Sequence, residues 1–263
     1  MIKPHRFVLN SGDSFYEDGI DTVHDEEVRT SFTDVYNQPF IKTLEWWGVL
    51  GNHDYRGSTQ ALMSLAKTVE PRFLMEDRWW SRVVKRPNGS PDVRFIMIDT
   101  SPMISNYRKE DPDMRGHPDG IDTQFDRVEE QMKWIDEQLR IPNETKIVVG
   151  HHPAVSYFDY GTENRTLLET RVTSLLEKHN VLAYFAGHDH NLQYARPRKD
   201  STAYFVSGAG SRLRDGFIKA RQDDAHFLHV VHGFLACSIV GQGMLRVAAV
   251  DMYGKMVDFV AVP

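Results

Sequence analysis

The chain has 263 residues, of which 41% are hydrophobic and 11% aromatic. That is the composition of a folded globular protein and excludes collagen, coiled coil and intrinsic disorder. Thirty-one Lys and Arg stand against 37 Asp and Glu, a net charge of −6, so the basic surplus of a general nucleic-acid binder is absent. Cys237, the one cysteine, excludes an internal disulfide and reads as a small buried hydrophobe.

The first apolar run, Phe7–Leu9, reads as a strand that ends in Asn10-Ser11-Gly12-Asp13. The residues before it include no apolar core of about 7–15 residues, so they do not form a signal peptide. Nowhere does the chain offer the roughly 18 uninterrupted apolar residues of a membrane span. A weak helical pattern covers roughly Thr22–Tyr36. Further strands are predicted at Trp46–Leu50, Val93–Ile98, Lys146–Val149, Leu182–Ala186 and Ala203–Val206. The last quarter adds Phe227–Val231, Leu245–Val250 and Val257–Val262. Between them, Phe125, Val128, Met132, Ile135 and Leu139 fall at spacings of three and four, which predicts one apolar helix face. Leu167, Leu168, Val172, Leu175 and Leu176 predict a second. Ser105–Asp126, with Pro112, Gly116, Pro118 and Gly120, reads as a long surface loop. Strands and helices alternate over the first two thirds, which predicts an α/β layered fold with some antiparallel edge. The whole of 1–263 reads as one domain.

Four predicted strand ends carry the same polar signature. They are Gly12-Asp13-Ser14-Phe15-Tyr16, Gly51-Asn52-His53-Asp54, Gly150-His151-His152-Pro153 and Gly187-His188-Asp189-His190. Each begins with glycine, which lets the backbone turn sharply and approach a ligand. In open α/β sheets the ligand site lies outside the carboxyl ends of the strands, so four clusters would converge on one crevice. Taken singly, each has a plainer reading: Asp13 as a turn cap, Tyr16 as a rim aromatic, His151-His152 as an ordinary loop. In Gly187-His188-Asp189-His190, positions i and i+2 of an extended segment face one side, so both imidazoles can reach one site. Carboxylate, amide oxygen and imidazole suit divalent or trivalent ions such as Mn, Zn and Fe, and a phenolate favours Fe(III). The donors exceed what one tetrahedral ion needs. Two ions about 3.5–4 Å apart, sharing a carboxylate, would use them, and such pairs hydrolyse phosphate esters.

The order GDxFY, GNHD, GHxP, GHDH resembles the metallophosphoesterase superfamily. Tyr16 narrows the resemblance to the purple acid phosphatases. The strings LNSGDSFYEDG, GVLGNHDYRG, FIMIDT, VVGHHP, YFAGHDHNLQY and FVSGAGS are similar to the small, tartrate-resistant type, over His5 to about Ser211. The resemblance implies an α/β/β/α sandwich, with mixed sheets inside and helices outside, of the calcineurin-like metallophosphoesterase type. It implies an acid phosphatase that hydrolyses phosphomonoesters, small or on phosphoproteins, with a metal-bound hydroxide at a binuclear centre. Asp13 would bridge both ions. Tyr16 and His190 would bind Fe(III); Asn52, His151 and His188 would bind a divalent Fe, Zn or Mn. The position after glycine matches the ligand, which favours His151 over His152. His53, with Asn52, would contact the phosphate, and His53 would assist the leaving group. Alternatives are a phosphodiesterase or protein phosphatase of the same superfamily with two divalent ions, or an inactive fragment.

The sequence departs from the family pattern at two places. An upstream GDWG-like strand end, whose aspartate is also a ferric ligand in the family, would lie roughly forty residues before Asp13. Only twelve residues precede Asp13 here, so the chain reads as N-terminally truncated, short of its first strand and first helix. Tyr160 stands where family members often carry a substrate-contacting histidine. Sequons at Asn88, Asn143 and Asn164 agree with a glycoprotein in the family's secreted or lysosome-like location. Oligomeric state is left open.

Overall fold

Short segments with apolar side chains on both sides become strands packed between two layers. The structure, a computed structural model, describes residues 6–87, 89–107, 120–159, 164–214, 217–218 and 225–263. Its strands and α-helices run β1 (Phe7–Asn10), β2 (Glu45–Gly48), α1 (Thr59–Thr68), β3 (Phe73–Leu74), β4 (Trp80–Val84), β5 (Asp92–Met97), α2 (Asp122–Phe125), α3 (Val128–Leu139), β6 (Glu144–Val149), β7 (Phe158–Asp159), α4 (Thr173–Lys178), β8 (Ala183–Ala186), β9 (Leu192–Ala195), β10 (Ala203–Ser207), β11 (Phe217–Ile218), β12 (Ala225–His229), β13 (Gly233–Val240), β14 (Met244–Asp251) and β15 (Met256–Val262).

The large sheet has the order β12-β9-β10-β8-β6-β5-β4. Its centre, β10, β8, β6 and β5, is parallel, and its edges are antiparallel. A second, parallel sheet has the order β1-β2-β3, and a third, antiparallel one runs β13-β14-β15. Alternation of side chains sorts each strand into two cores. Phe7, Leu9, Trp47 and Val49 face inward, where they meet Phe95, Ile147, Val149 and Phe185 of the large sheet and Leu245, Val247 and Val262 of the third. Phe7 stacks on Trp47 with ring centroids 3.8 Å apart. The opposite faces carry the helices. Phe32, from a π-helical turn at Val28–Thr33, packs edge-on to Trp46 and Phe73, beside Leu62 and Leu65 of α1. Val128, Met132, Ile135 and Leu139 of α3 and Leu176 of α4 lie with Ile96, Val148 and Tyr184. This is the expected helix–sheet–sheet–helix sandwich, in which the large sheet is the mixed one.

The elements differ from expectation where periodicity is weak. The 125–139 pattern splits into α2 and α3. The 22–36 pattern shrinks to the turn at Val28–Thr33. Helix α1 escaped notice because its buried face rests on only Thr59, Leu62 and Leu65. Of the long predicted loop, residues 108–119 lie outside the described residues. Cys237 is a correction: it sits on the edge strand β13 and is exposed, not buried. The third sheet also leaves Phe234, Met244, Met256 and Phe259 exposed.

Helix α1 starts where Ser58 accepts the Ala61 N–H at 3.1 Å. Ser58→Ala leaves that donor without its cap and is expected to cost about 1 kcal/mol. Chemical denaturation checks this, and an unchanged midpoint and slope would show that water replaces the cap without loss.

Candidate metal centre

The strands β1, β6 and β8 end at one edge of the sandwich, and the segment that follows β2 joins them there. Their polar ends meet. His151 Nε2 lies 3.1 Å from Asp13 Oδ2, 3.0 Å from Asn52 Oδ1 and 3.0 Å from His188 Nδ1. His188 Nδ1 is also 3.0 Å from Asn52 Oδ1. Cis ligands held by bonds of about 2.1 Å stand about 3.0 Å apart, which is the mutual spacing of Asn52 Oδ1, His151 Nε2 and His188 Nδ1, with Asp13 Oδ2 adjoining His151. The mixture of one carboxylate, one amide oxygen and two imidazoles suits a borderline divalent metal. His151 Nδ1 faces the Ser11 carbonyl at 2.7 Å. With its proton donated there, Nε2 keeps a lone pair for a metal.

On the other side of the same carboxylate, the Tyr16 hydroxyl donates to Asp13 Oδ2 at 3.2 Å. The His190 ring stands perpendicular to the Tyr16 ring, with centroids 6.4 Å apart. Tyr16 is thus tied to Asp13, and His190 stands beside Tyr16 on that side. His53 lies between: its backbone N–H donates to Asp13 Oδ1 at 2.8 Å, its Nδ1 meets the Glu17 carbonyl, and its ring is 4.5 Å from that of Tyr16.

The backbone that presents these groups is unusual. Asp13 and His188 adopt left-handed conformations, with φ of 52° and 58°. Non-glycine residues there store of order 1–3 kcal/mol each, strain that collects at functional sites. Close packing adds a second constraint. A Cβ on Gly51 would lie 2.2 Å from Asp13 Oδ1, and one on Gly12 would lie 2.7 Å from His151 Nδ1.

Asp54 and Asp189, quoted in the motifs but given no role there, hold the turns. The buried Asp54 carboxylate accepts the N–H groups of Gly51 at 2.8 Å, Asp13 at 3.0 Å and Ser14 at 3.1 Å, so it ties two turns together. Asp189, fully buried between His188 and His190, pairs with Arg165 at 2.9 Å. Their only sequence signal is an acid inside each motif. Asp99, just past β5, accepts a hydrogen bond from the Tyr55 hydroxyl, which Arg78 also reaches at 2.9 Å.

Burial sets the charges. It opposes ionisation of Asp13, but His151 and the neighbouring imidazoles hold that carboxyl well below the usual range. Burial, aided by the Asp13 charge, pushes Asp54 up to about 7. Burial alone would lower His151; the Asp13 carboxylate outweighs it and raises the imidazole. Burial and then Arg214 push His190 down to about 4. Burial drives His152 far down, so this imidazole is neutral.

The structure therefore brings together Asp13, Tyr16, Asn52, His53, His151 and His188, with His190 at the margin beside Tyr16. Tyr160 and the sequon Asn88 lie outside the described residues. Asn143 sits at a turn with φ of 62° and is exposed, as is Asn164.

Purple acid phosphatase 3 of Arabidopsis thaliana is 28% identical over 253 residues, covering 95% of this chain and 66% of the relative. Tartrate-resistant acid phosphatase type 5 of Sus scrofa is 30% identical over 212 residues, covering 78% of this chain and 58% of the relative. The chain thus spans less than two thirds of the length of either. Among solved structures, GAP50 of Plasmodium, described as the anchor in the inner membrane complex, superposes with a TM-score of 0.80 at 20% identity, over 97% of this chain and 78% of that one, a likeness of fold. A family model for calcineurin-like phosphoesterases matches residues 2–192, and the chain belongs to that family.

Proposed function

We propose that the chain is an acid phosphatase that hydrolyses phosphomonoesters at a binuclear centre of Fe(III) and a divalent Fe, Zn or Mn. The observation that carries this reading is the convergence of Asp13 Oδ2, Asn52 Oδ1, His151 Nε2 and His188 Nδ1, with the Tyr16 phenol on the same Asp13 oxygen. Asn52, His151 and His188 hold the divalent ion, Tyr16 and His190 hold the ferric one, and Asp13 bridges. Bound there, such ions polarise the phosphoester and lower the pKa of water. His53 contacts the phosphate and gives a proton to the leaving alcohol. Its Nδ1 faces the Glu17 carbonyl and Arg56 Nη1, which leaves Nε2 as the nitrogen for that transfer, made from the imidazolium form. Asn52 completes the substrate contacts. Exposed sequons at Asn143 and Asn164 support a glycosylated chain in a secretory or lysosome-like compartment.

Tyr16 separates this reading from a phosphodiesterase or protein phosphatase with two divalent ions, because a phenolate favours Fe(III). The test is expression with iron, followed by visible absorption and hydrolysis of a chromogenic phosphomonoester in mildly acidic buffer. The chain is expected to be coloured and active, and Tyr16→Phe to lose the absorption band. A colourless, inactive protein would sink the proposal for this chain, and a colourless but active one would favour two divalent ions.

A further inference from the structure

His152 is the fully buried neighbour of His151, and the resemblance passes it over. It lies close enough to His151 and His188 for the three to share an ion by proximity alone. Its ring nitrogens are otherwise engaged. Nδ1 is 2.8 Å from Thr100 Oγ1, and Nε2 is 2.9 Å from the Tyr107 hydroxyl. A metal ligand needs a free lone pair aimed at the ion. The backbone is pinned as well: the His152 N–H donates to Thr100 Oγ1 at 2.9 Å, and the Tyr184 hydroxyl donates to the His152 carbonyl at 2.7 Å.

The ring so fixed lies against both proposed ligand imidazoles. It meets the His188 ring at 4.4 Å between centroids and stands perpendicular to the His151 ring at 4.8 Å. We propose that His152 is a positioning residue, a rigid imidazole wedge that Thr100 and Tyr107 lock in place and that sets the orientation of His151 and His188. Thr100 lies three residues past the end of β5, so the wedge transmits the end of a central strand to the turns after β6 and β8. Gly150 belongs to the same joint: a Cβ there would lie 2.5 Å from the Tyr184 hydroxyl and 2.7 Å from Thr100 Cγ2. Groups that fix the orientation of ligating imidazoles through hydrogen bonds are typically worth about 10–100-fold in metal binding, and His152 fixes the two rings by packing against them.

The inference rests on the metal centre proposed above, and the test separates the two. Zn(II) affinity is measured by competition with a chromophoric chelator, on the full chain, for wild type, Thr100→Val, Thr100→Ser and Tyr107→Phe. Thr100→Val keeps the shape and deletes the hydroxyl; Thr100→Ser keeps the hydroxyl. The expected result is a loss of about 10–100-fold in affinity for Thr100→Val and a smaller loss for Tyr107→Phe. Thr100→Ser should stay near wild type, with equal Zn(II) stoichiometry in all four. Unchanged affinity in Thr100→Val and Tyr107→Phe overturns the wedge. So does a fall in melting temperature of the metal-free Thr100→Val with affinity intact, which marks a merely structural hydroxyl. If either variant fails to fold, the other decides. His152→Gln that binds one ion fewer than wild type overturns it too, since His152 is then a ligand. Wild type that binds no Zn(II) sinks the metal centre itself.

Discussion

Asp13→Asn is expected to cut phosphatase turnover at least about 100-fold, since even a residue behind a metal ligand is worth about 10–100-fold. The substitution isolates the charge. Asparagine tolerates the left-handed backbone at position 13 almost as well as aspartate, and its amide oxygen can still accept the His53 N–H. What goes is the second anionic oxygen, the atom that both His151 Nε2 and the Tyr16 hydroxyl approach. The amide nitrogen that takes its place can neither accept a hydrogen bond nor bind a cation. Metal analysis and steady-state kinetics check this together: one of the two ions should be lost along with the turnover. A variant that keeps both ions and near-normal turnover would remove Asp13 from the bridging role.

Asp99→Asn is expected to change the pH dependence of stability by about 3 kcal/mol in the metal-free chain. Burial raises the Asp99 carboxyl from 3.8 to about 6, with Arg78 and the Tyr55 hydroxyl working against the rise. Between these two values the folded chain keeps a proton that the unfolded chain has released. Stability therefore falls as pH rises through that window, and this contribution is complete below it. Asparagine has no proton to lose. It still accepts a hydrogen bond from Tyr55 and stays beside Gln131, which grips the Asp99 backbone from α3. Denaturation of both proteins at several pH values from 4 to 7 should show the variant gaining on wild type as pH rises. Two parallel curves would mean that Asp99 is ionised throughout.

The sequence exposes strongly what repeats and poorly what supports it. Glycine followed by Asp, Asn or His after an apolar run marks each ligand turn, because metal donors at a strand end need both a sharp turn and a polar side chain. It was this recurrence, and no one turn taken singly, that singled out Asp13, Asn52, His151 and His188, which the structure places at one edge of the sandwich. Their partners were not legible: Asp54 and Thr100 act through atoms far away in sequence, and only tertiary pairing brings Thr100 to His152. The alternation argument for Gly187-His188-Asp189-His190 failed in detail. The segment is not extended, since His188 has φ of 58°, so alternation along a strand does not set the directions of the two imidazoles. Among the strands, the long apolar runs were plain, while β4 was hidden by Ser81 and Arg82 in its middle. Cys237 read as core because its neighbours are apolar, yet its strand forms the edge of its sheet.

The left-handed backbone at Asp13 and His188 also limits how this chain can vary. At position 13 an acid is wanted, but glutamate places its carboxylate one methylene further out and resists a positive φ. At position 188 a nitrogen donor is wanted, and histidine is one of the few that visits this conformation with any ease. Chemistry and backbone thus apply independent filters whose overlap is close to a single residue type. Single substitutions at these two positions should be tolerated far less than at Asn52, whose φ of −73° is open to every side chain, so a saturation library scored for metal retention would find its narrowest columns at 13 and 188.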